Sequence, residues 1–236
     1  MDLTNKIIWI TGSGRGIGRA MALALSKHGA RIVVSARSGG EIEEVAETIN
    51  TNGGAALAVQ CDVRSKAEVD ALSAHVKELW GPIDILVNNA GVGVFKHIID
   101  LTPEEWDDTL NTNLRAAFFC TQAVLPDMLK RKSGHILNMV SVAGTKVFPQ
   151  NAAYSASKFG LLGFNDALRE ETRDHGIKVT ALIPGATSTD IWGNANVDYS
   201  VMMQPEDIAQ MVVTICQAND SAHIEQIVMR PQGGDL

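Results

Sequence analysis

A glycine-rich turn between a strand-like and a helix-like segment constrains the fold of this chain more than any other feature. Residues 6–11 form a short apolar run rich in β-branched side chains, which is typical of a buried strand. Residues 12–18 contain four glycines, and an Ala- and Leu-rich helix is predicted to follow and to end at Gly29. Because residues 31–35 predict another strand, the segment is a strand–helix–strand unit, which builds a parallel sheet.

The spacing within this turn favours a phosphate-binding site. Thr11, Gly12, Gly16 and Gly18 form the pattern Thr-Gly-x-x-x-Gly-x-Gly. Glycines allow a tight turn and a close approach of the backbone to a pyrophosphate, while the start of the following helix attracts anions. A Walker-type nucleotide loop is excluded, because no Gly-Lys-Ser/Thr follows. The residues predicted to hold a dinucleotide here are Gly12, Ser13, Gly14, Arg15, Gly16, Ile17 and Gly18.

The end of the second strand indicates which dinucleotide binds. An NAD site carries an acidic residue about 20 residues beyond the glycines, where it holds the ribose 2′-hydroxyl. Here the strand ends in Ser35-Ala36-Arg37-Ser38, without an acid. Arg37 and Arg15 instead suit a 2′-phosphate, which guanidinium groups bind in a bidentate manner. NADP(H) is therefore favoured over NAD(H).

Strands and helices alternate along the rest of the chain. Further strands are predicted, with helices between them, at residues 56–61, 83–87, 135–140, 177–183 and 225–229. The chain shows no linker and no internal repeat. This alternation predicts a single α/β domain over residues 1–236, built as a Rossmann-type, doubly wound parallel sheet of about seven strands flanked by helices.

Two of the strand ends carry residues that suit a ligand. Asp62 and Val63 follow the third strand, where Asp62 either holds an adenine amino group or caps the helix that begins near Ser65. Asn88-Asn89-Ala90-Gly91 follows the fourth strand. Asn88 is expected to bond neighbouring strands, while the small residues leave room for a cofactor. The cofactor contacts predicted at these two ends are Asp62, Val63, Asn89, Ala90 and Gly91.

Tyr154 and Lys158 supply the clearest catalytic signal. Their spacing of four residues places them one turn apart on the same face of a predicted helix. A nearby ammonium favours the phenolate and lowers the pKa of a tyrosine, which can then exchange a proton near neutral pH. Ser141 ends the fifth predicted strand, upstream of this pair.

Asn113 is a further candidate. It lies in a long helical stretch that begins with Thr102 as cap, runs to about Arg131 and is predicted to break near Pro126. Asparagine is a poor residue for the middle of a helix unless its side chain has a role, so the alternatives here are a functional asparagine and a surface asparagine.

The overall charge and the cysteines narrow the class of protein. The net charge is −7 without a basic block, which argues against nucleic acid or an anionic membrane as a partner. Residues 1–6 lead into the first strand without the pattern of a signal peptide, and Cys61, Cys120 and Cys216 are scattered, so a cytoplasmic protein with reduced thiols is expected. No cluster of His and Cys suggests a metal site.

In order and spacing, these motifs resemble those of the short-chain dehydrogenase/reductase family. The resemblance covers essentially the whole chain. The residues that carry it are Thr11-Gly12, Gly16-Ile17-Gly18, Asn88-Asn89-Ala90-Gly91, Asn113, Ser141, Tyr154, Lys158 and Pro184-Gly185.

The resemblance implies a catalytic role for four residues. Tyr154 would donate a proton to a carbonyl, and Lys158 would lower the tyrosine pKa and hold the nicotinamide ribose. Ser141 would orient the substrate carbonyl, and Asn113 would hold a water in a proton relay. The segment near the nicotinamide carboxamide would contain Pro184, Gly185, Thr187 and Thr189. Family members transfer a hydride directly and are usually homodimers or homotetramers, with the helices around Asn113 and Lys158 as the customary interface.

The substrate is expected to be a small carbonyl compound or alcohol on an apolar body. The predicted pocket wall is Val92, Val94, Phe95, Val142, Phe148, Ile191 and Trp192. Residues 190–200 are polar and are expected to form a mobile lid.

Three substrate classes remain open: a small ketone, a 3-oxoacyl chain on an acyl-carrier protein, and a pteridine of the kind that sepiapterin reductases take. Against the second, the chain lacks that group's usual C-terminal ending and is acidic overall, whereas an acidic carrier calls for a basic docking face. A dinucleotide-sensing regulator without catalysis is the alternative from another class.

Overall fold

In the computed structural model, which describes residues 2–193, 197–219 and 221–234, a seven-stranded parallel sheet has the order β3-β2-β1-β4-β5-β6-β7. The predicted doubly wound sheet is thus confirmed. The strands are β1 (Ile7–Thr11), β2 (Arg31–Ala36), β3 (Ala55–Gln60), β4 (Ile85–Asn88), β5 (Gly134–Met139), β6 (Ile177–Pro184) and β7 (Gln226–Met229).

Helices cover both faces of the sheet. Their bounds are α1 (Gly16–Ser26), α2 (Gly39–Thr51), α3 (Lys66–Leu79), α4 (Pro103–Leu110), α5 (Ala116–Arg131), α6 (Ala152–Thr172) and α7 (Pro205–Gln217). Side chains of α1, α2 and α7 pack on one face, and those of α3, α5 and α6 pack on the other. Within the described residues, no helix is both long enough and apolar enough to cross a membrane.

The alternation of β1 shows how the two cores form. Ile8 and Ile10 point to the face that α1 covers, whereas Ile7 and Trp9 point to the face that α3 covers. All four side chains are at least 95% buried. A strand that is buried on both faces reads as a continuous apolar run, which is why the sequence pattern here lacks polar alternation.

The long helical stretch is interrupted at a different place from the predicted one. Pro126 lies inside α5, on its exposed side, where solvent can satisfy the carbonyl that has lost its donor. The interruption is instead a π-helical turn at Asn111–Arg115, between α4 and α5. Such a turn carries one extra residue and rotates the side chains within it, and π-helical turns are frequent at functional sites.

Strand order reverses between β1 and β4, because the chain first builds outward to β3 and then returns beside β1. Ligands of doubly wound sheets bind at this reversal, outside the carboxyl ends of the strands. The residues singled out by their motifs follow β1, β3, β4, β5 and β6, so the topology brings them to one edge of the sheet.

Candidate active site

A cleft of about 780 Å³ opens at this edge, within the usual size range of ligand sites. Most of the predicted site residues line it, from the glycine turn at one end to Tyr154 at the other. Ser13, Val94 and Asn113 do not line it. Lining residues that the sequence did not single out include Ser38, Glu41, Arg64, Gln150, Asn151 and Asp190.

The glycine turn has the geometry that its spacing predicted. Gly12 has φ +64° and Gly16 has φ +53°, values that favour glycine. A Cβ added at Gly18 would lie 2.2 Å from the Gly12 carbonyl oxygen, so this position admits no side chain. Helix α1 begins within the turn, at Gly16, without a side-chain cap, which leaves its first N–H groups available to an anion.

Ser13 has a structural role. Its hydroxyl donates to the Ile10 carbonyl at 2.7 Å and accepts from the Ser35 N–H at 2.9 Å, so it ties β1 to β2. The residue is completely buried. Its position in the glycine turn suggested a cofactor contact, but its side chain points into the protein.

The end of β4 holds the glycine turn in place. The Asn89 amide donates to the Thr11 and Gly12 carbonyls at 2.9 and 3.1 Å. Asn88 donates to the Asn138 side chain at 2.9 Å, so the predicted bond between neighbouring strands is present. These contacts fix the spacing between the turn and Ala90. The spacing is close, since a Cβ added at Gly12 would lie only 2.9 Å from the Ala90 Cα.

The Asp62 carboxylate accepts hydrogen bonds from an arginine side chain and does not cap a helix. Arg64 donates through Nε to Asp62 Oδ1 at 3.0 Å and also contacts Asp108. The hydrogen bond from Arg64 is the main reason that the pKa of Asp62 lies below its ordinary value. Helix α3 is capped by Ser65, whose hydroxyl accepts from the Glu68 N–H at 3.4 Å. The alternative in which Asp62 caps this helix was therefore wrong, while the adenine contact stays a prediction.

Tyr154 and Lys158 lie one turn apart on α6, as their spacing predicted. Lys158 is 4% exposed, donates to the Met139 carbonyl at 2.7 Å, and places its Nζ 5.6 Å from the centre of the Tyr154 ring. Burial lowers the pKa of Lys158 to about 7.

Burial also raises the pKa of Tyr154, and a hydrogen bond with the Ser141 hydroxyl only partly offsets this effect. The direction is opposite to the lowering that the Tyr-x-x-x-Lys pattern suggested. Removing a side chain from water disfavours its charged form, and here that cost exceeds the lowering by the Ser141 hydrogen bond. The phenol accordingly keeps its proton, as a proton donor must.

Asn113 lies behind the cleft, in the π-helical turn, and is 2% exposed. Its amide accepts from the Val92 N–H at 2.8 Å and donates to the Val92 carbonyl at 2.9 Å and to Ser157 Oγ at 3.0 Å. The alternative of a surface asparagine is therefore wrong. The side chain joins the segment after β4 to α6, one residue from Lys158.

Aromatic side chains wall the cleft beside Tyr154. The Phe95 ring stacks on Trp192, with centroids 5.5 Å apart, and its edge meets Tyr154 at 6.0 Å. The Trp192 indole donates to the Thr187 carbonyl at 2.9 Å. Val92, Val142, Phe148 and Ile191 also line the cleft, as expected. Residues 194–196, in the middle of the predicted lid, lie outside the described residues.

Comparison with known proteins shows the family. The family model described as short chain dehydrogenase matches residues 6–200. This chain belongs to the short-chain dehydrogenases. The family model covers the glycine turn, the Asn88–Gly91 segment, Ser141 and the Tyr154–Lys158 pair in one match.

Two curated relatives are similar over nearly their full length. Sepiapterin reductase from Chlorobaculum tepidum is 38% identical, with 98% of each chain covered. A 3-oxoacyl-[acyl-carrier-protein] reductase from Synechocystis is 37% identical, with 98% of this chain and 97% of the relative covered. A metagenomic short-chain oxidoreductase solved with NADP is 34% identical, has a TM-score of 0.88, and is matched over 99% of its length.

The residues of the cleft fit a nicotinamide dinucleotide. Gly12, Gly14, Gly16 and Gly18 line one end of the cleft, and α1 starts there without a side-chain cap, so its first N–H groups can receive a pyrophosphate. Arg15 and Arg37 line the same end of the cleft, and Tyr154 lies toward the other. Within the part of the chain that the structure describes, no group of His, Cys, Asp and Glu side chains is placed to hold a metal ion.

Proposed function

We propose that this chain is an NADPH-dependent reductase that converts a ketone or aldehyde to an alcohol. The proposal rests on one observation: Ser141, Tyr154 and Lys158 line the same cleft as the glycine turn. Bound NADPH would supply the hydride, so the protein has to supply position, a proton and stabilisation of the developing charge.

Each of the three side chains has a task in the proton transfer. The Ser141 hydroxyl orients the carbonyl oxygen and supports the charge that grows on it. Tyr154 donates its proton to that oxygen, and its raised pKa keeps the phenol protonated until then. Lys158, with Nζ 5.6 Å from the ring centre, stabilises the phenolate that forms.

Asn113 is the fourth proposed member of the site. Its direct partners are the Val92 backbone and Ser157, so the contacts support a role in holding the loop after β4 against α6. In the proposal, this contact keeps Lys158 aligned, and the asparagine also holds a water in the proton relay behind the lysine.

A flat heteroaromatic ketone is the second candidate substrate. The stacked pair Phe95 and Trp192 beside Tyr154 favours a planar body, because ring faces prefer offset stacking. The 38% identical relative named sepiapterin reductase points the same way.

A 3-oxoacyl thioester is the third candidate, and it is supported by the 37% identical carrier-protein reductase. The net charge of −7 disfavours it, since a carrier protein is strongly acidic and like charges repel.

The test is the oxidation of NADPH and of NADH against a panel of carbonyl compounds, followed at the absorbance of the reduced nicotinamide. The panel contains a diketone, an aromatic aldehyde, a pteridine ketone and an acetoacetyl thioester. We expect turnover with NADPH on the ring-bearing members, the aromatic aldehyde and the pteridine ketone. Tight binding of NADPH without turnover on any member of the panel would instead support a dinucleotide-sensing regulator.

A further inference from the structure

The cleft is electrostatically mixed around the glycine turn. Apart from Lys158, its charged lining residues are three guanidinium groups and three carboxylates: Arg15, Arg37, Arg64, Glu41, Asp62 and Asp190. A site that selects strongly for a 2′-phosphate needs an excess of positive charge there, because the phosphate carries close to two negative charges. The lining charges instead balance.

Two of the carboxylates have positions that the sequence pattern did not indicate. Asp190 Oδ2 lies 3.6 Å from Arg15 Nη1, with both side chains largely exposed. The pair crosses the cleft, from the glycine turn to the short helical turn Asp190–Trp192. A 2′-phosphate must therefore compete with Asp190 for Arg15.

Glu41 lies in the first turn of α2, four residues after Arg37. It lines the cleft and packs against the glycine turn, since a Cβ added at Gly14 would lie 3.0 Å from Glu41 Oε2. An acid at this end of the cleft is the group that holds the ribose 2′-hydroxyl in NAD sites. The sequence pattern does not reveal it, because the acid of an NAD site is expected at the end of β2 rather than at the start of α2.

We propose that Glu41 and Asp190 give this chain dual cofactor use. Glu41 accepts a hydrogen bond from the ribose 2′-hydroxyl of NAD(H) and repels a 2′-phosphate. Asp190 pairs with Arg15 and thereby weakens its hold on the 2′-phosphate of NADP(H). The inference rests on the proposed function in one respect, namely that the cleft is the dinucleotide site, and it extends that function from NADPH to NADH as a second cofactor.

The experiment measures dissociation constants of NADPH and NADH by calorimetry, which requires no turnover. For the unmodified protein we expect values within about tenfold of each other, which corresponds to about 1.4 kcal/mol. Glu41→Gln is expected to weaken NADH by about tenfold or more, as for loss of one hydrogen bond to a charged group. It is expected to tighten NADPH, because a carboxylate that repels the 2′-phosphate is removed. Glu44→Gln, an equal change on the exposed side of α2, is the matched control and should move neither value.

Asp190→Asn is expected to tighten NADPH by about two- to fivefold, the range of an exposed ion pair. The gain should shrink with added salt and should vanish in the Arg15→Gln background, because Arg15 is the proposed intermediary. NADH affinity should change less than NADPH affinity.

Preference for NADPH by more than about a hundredfold in the unmodified protein would overturn the proposal. Equal effects of Glu41→Gln and Glu44→Gln on the dissociation constants would also overturn it, as would an effect of Asp190→Asn that persists in the Arg15→Gln background.

Titration of the unmodified protein with 2′,5′-ADP and 5′-ADP tests the same selectivity without any variant. Much tighter binding of 2′,5′-ADP than of 5′-ADP would also contradict the proposal. If neither nucleotide nor either cofactor binds, both this inference and the dinucleotide site fail. If both cofactors bind with the expected pattern but no carbonyl is reduced, only the proposed function fails.

Discussion

Arg37 is the residue whose charge bears most directly on cofactor choice. It follows β2, is exposed and lines the cleft. Replacing it by Asp removes a guanidinium that suits a phosphate and adds an acid at the place where NAD sites carry one. We expect the ratio of kcat/KM for NADPH over NADH to fall by at least about tenfold.

Lys27→Asp is the control for this change. It alters the charge by the same amount, but Lys27 lies at the far end of α1 from the cleft. The ratio of kcat/KM for NADPH over NADH in this variant should equal that of the unmodified protein. Equal ratios in the two variants would remove Arg37 from the explanation of 2′-phosphate binding.

At the same scale, sequence reasoning succeeds where the chemistry is local. Tyr154 and Lys158 share a helix face because of their spacing alone, and Gly18 is required by the turn that contains it. Sequence reasoning fails where the hydrogen-bond partner of a side chain is set by the tertiary structure. Ser13 turns inward to β2, and Asp62 takes Arg64 as its partner. Burial of Tyr154, which sets the direction of its pKa, likewise depends on elements distant in sequence.

Among the elements, the strand–turn–helix unit of β1 and α1 depends on Gly18. In Gly18→Ala, the new Cβ would meet the Gly12 carbonyl oxygen at 2.2 Å and the Asn89 amide at 2.7 Å, so the turn has to move. We expect a loss of about 1–3 kcal/mol in the free energy of unfolding and at least about tenfold weaker NADPH binding.

Gly40→Ala provides the comparison. Gly40 lies in α2, outside the cleft lining, and an added Cβ would have no heavy atom within 4 Å. A helical alanine should raise the free energy of unfolding by up to about 1 kcal/mol and leave NADPH binding unchanged. Intact NADPH binding in Gly18→Ala would contradict the assignment of the turn.

A buried polar chain links β5 and β6 to Ile224, in the segment before β7. His135 Nε2 lies 2.9 Å from Thr180 Oγ1, which donates to the Ile224 carbonyl at 2.6 Å, so His135 is the donor. Burial lowers the pKa of His135 to about 3. The unfolded chain, with a histidine pKa of about 6.5, therefore binds one more proton than the folded chain between these values.

Stability that this histidine contributes is fully present above pH 6.5 and is lost as the pH falls toward 3. We expect the free energy of unfolding to drop by about 1 kcal/mol between pH 6 and pH 5. His135→Gln should flatten this slope, whereas the exposed His75→Gln should keep it. Denaturant titrations at the two pH values measure the difference, and an unchanged slope in His135→Gln would refute the explanation.

The elements themselves were largely predictable, and the exceptions have physical causes. Caps and breakers such as Thr102 and Gly29 act on neighbouring residues, so the element order could be read along the chain. The π-helical turn at Asn111–Arg115 could not, because Asn113 within it bonds to Val92, and the local sequence does not reveal this contact between separate segments. Pro126 suggested a break that the exposed side of α5 does not require.

On the scale of the whole molecule, the helices beside the active site present apolar surface. Phe118 on α5 is 45% exposed and Phe159 on α6 is 44% exposed. The family resemblance predicted a homodimer or homotetramer through these helices, and the exposed rings support that proposal. We expect sedimentation velocity to find a dimer or tetramer of the unmodified protein. Phe159→Glu should shift the distribution toward smaller species, because it would bury a charge without a partner in the interface, which is costly.

Leu79→Glu is the corresponding control. Leu79 is 52% exposed at the end of α3, a helix outside the proposed interface pair α5 and α6. Its variant should sediment like the unmodified protein. A monomer at micromolar concentration of the unmodified protein would contradict the proposal of an assembly.

Which carbonyl compound enters the cleft could not be read from the sequence. Phe95, Trp192 and Tyr154 come from three separated segments, and only the fold brings their rings together. Likewise, Glu41 and Asp190 became candidates for cofactor selection only through their contacts across the cleft.

The most direct test of the central claim is the rate of NADPH oxidation by Tyr154→Phe with the best ketone of the panel, measured together with its affinity for NADPH. Loss of a positioned general acid costs about 10²–10⁴-fold, so we expect activity below about 1% of the unmodified protein with NADPH affinity unchanged within about twofold. Tyr199→Phe makes the same chemical change at the other tyrosine of the chain and should remain active. Retention of more than a few per cent of the activity by Tyr154→Phe would show that the proton comes from another group.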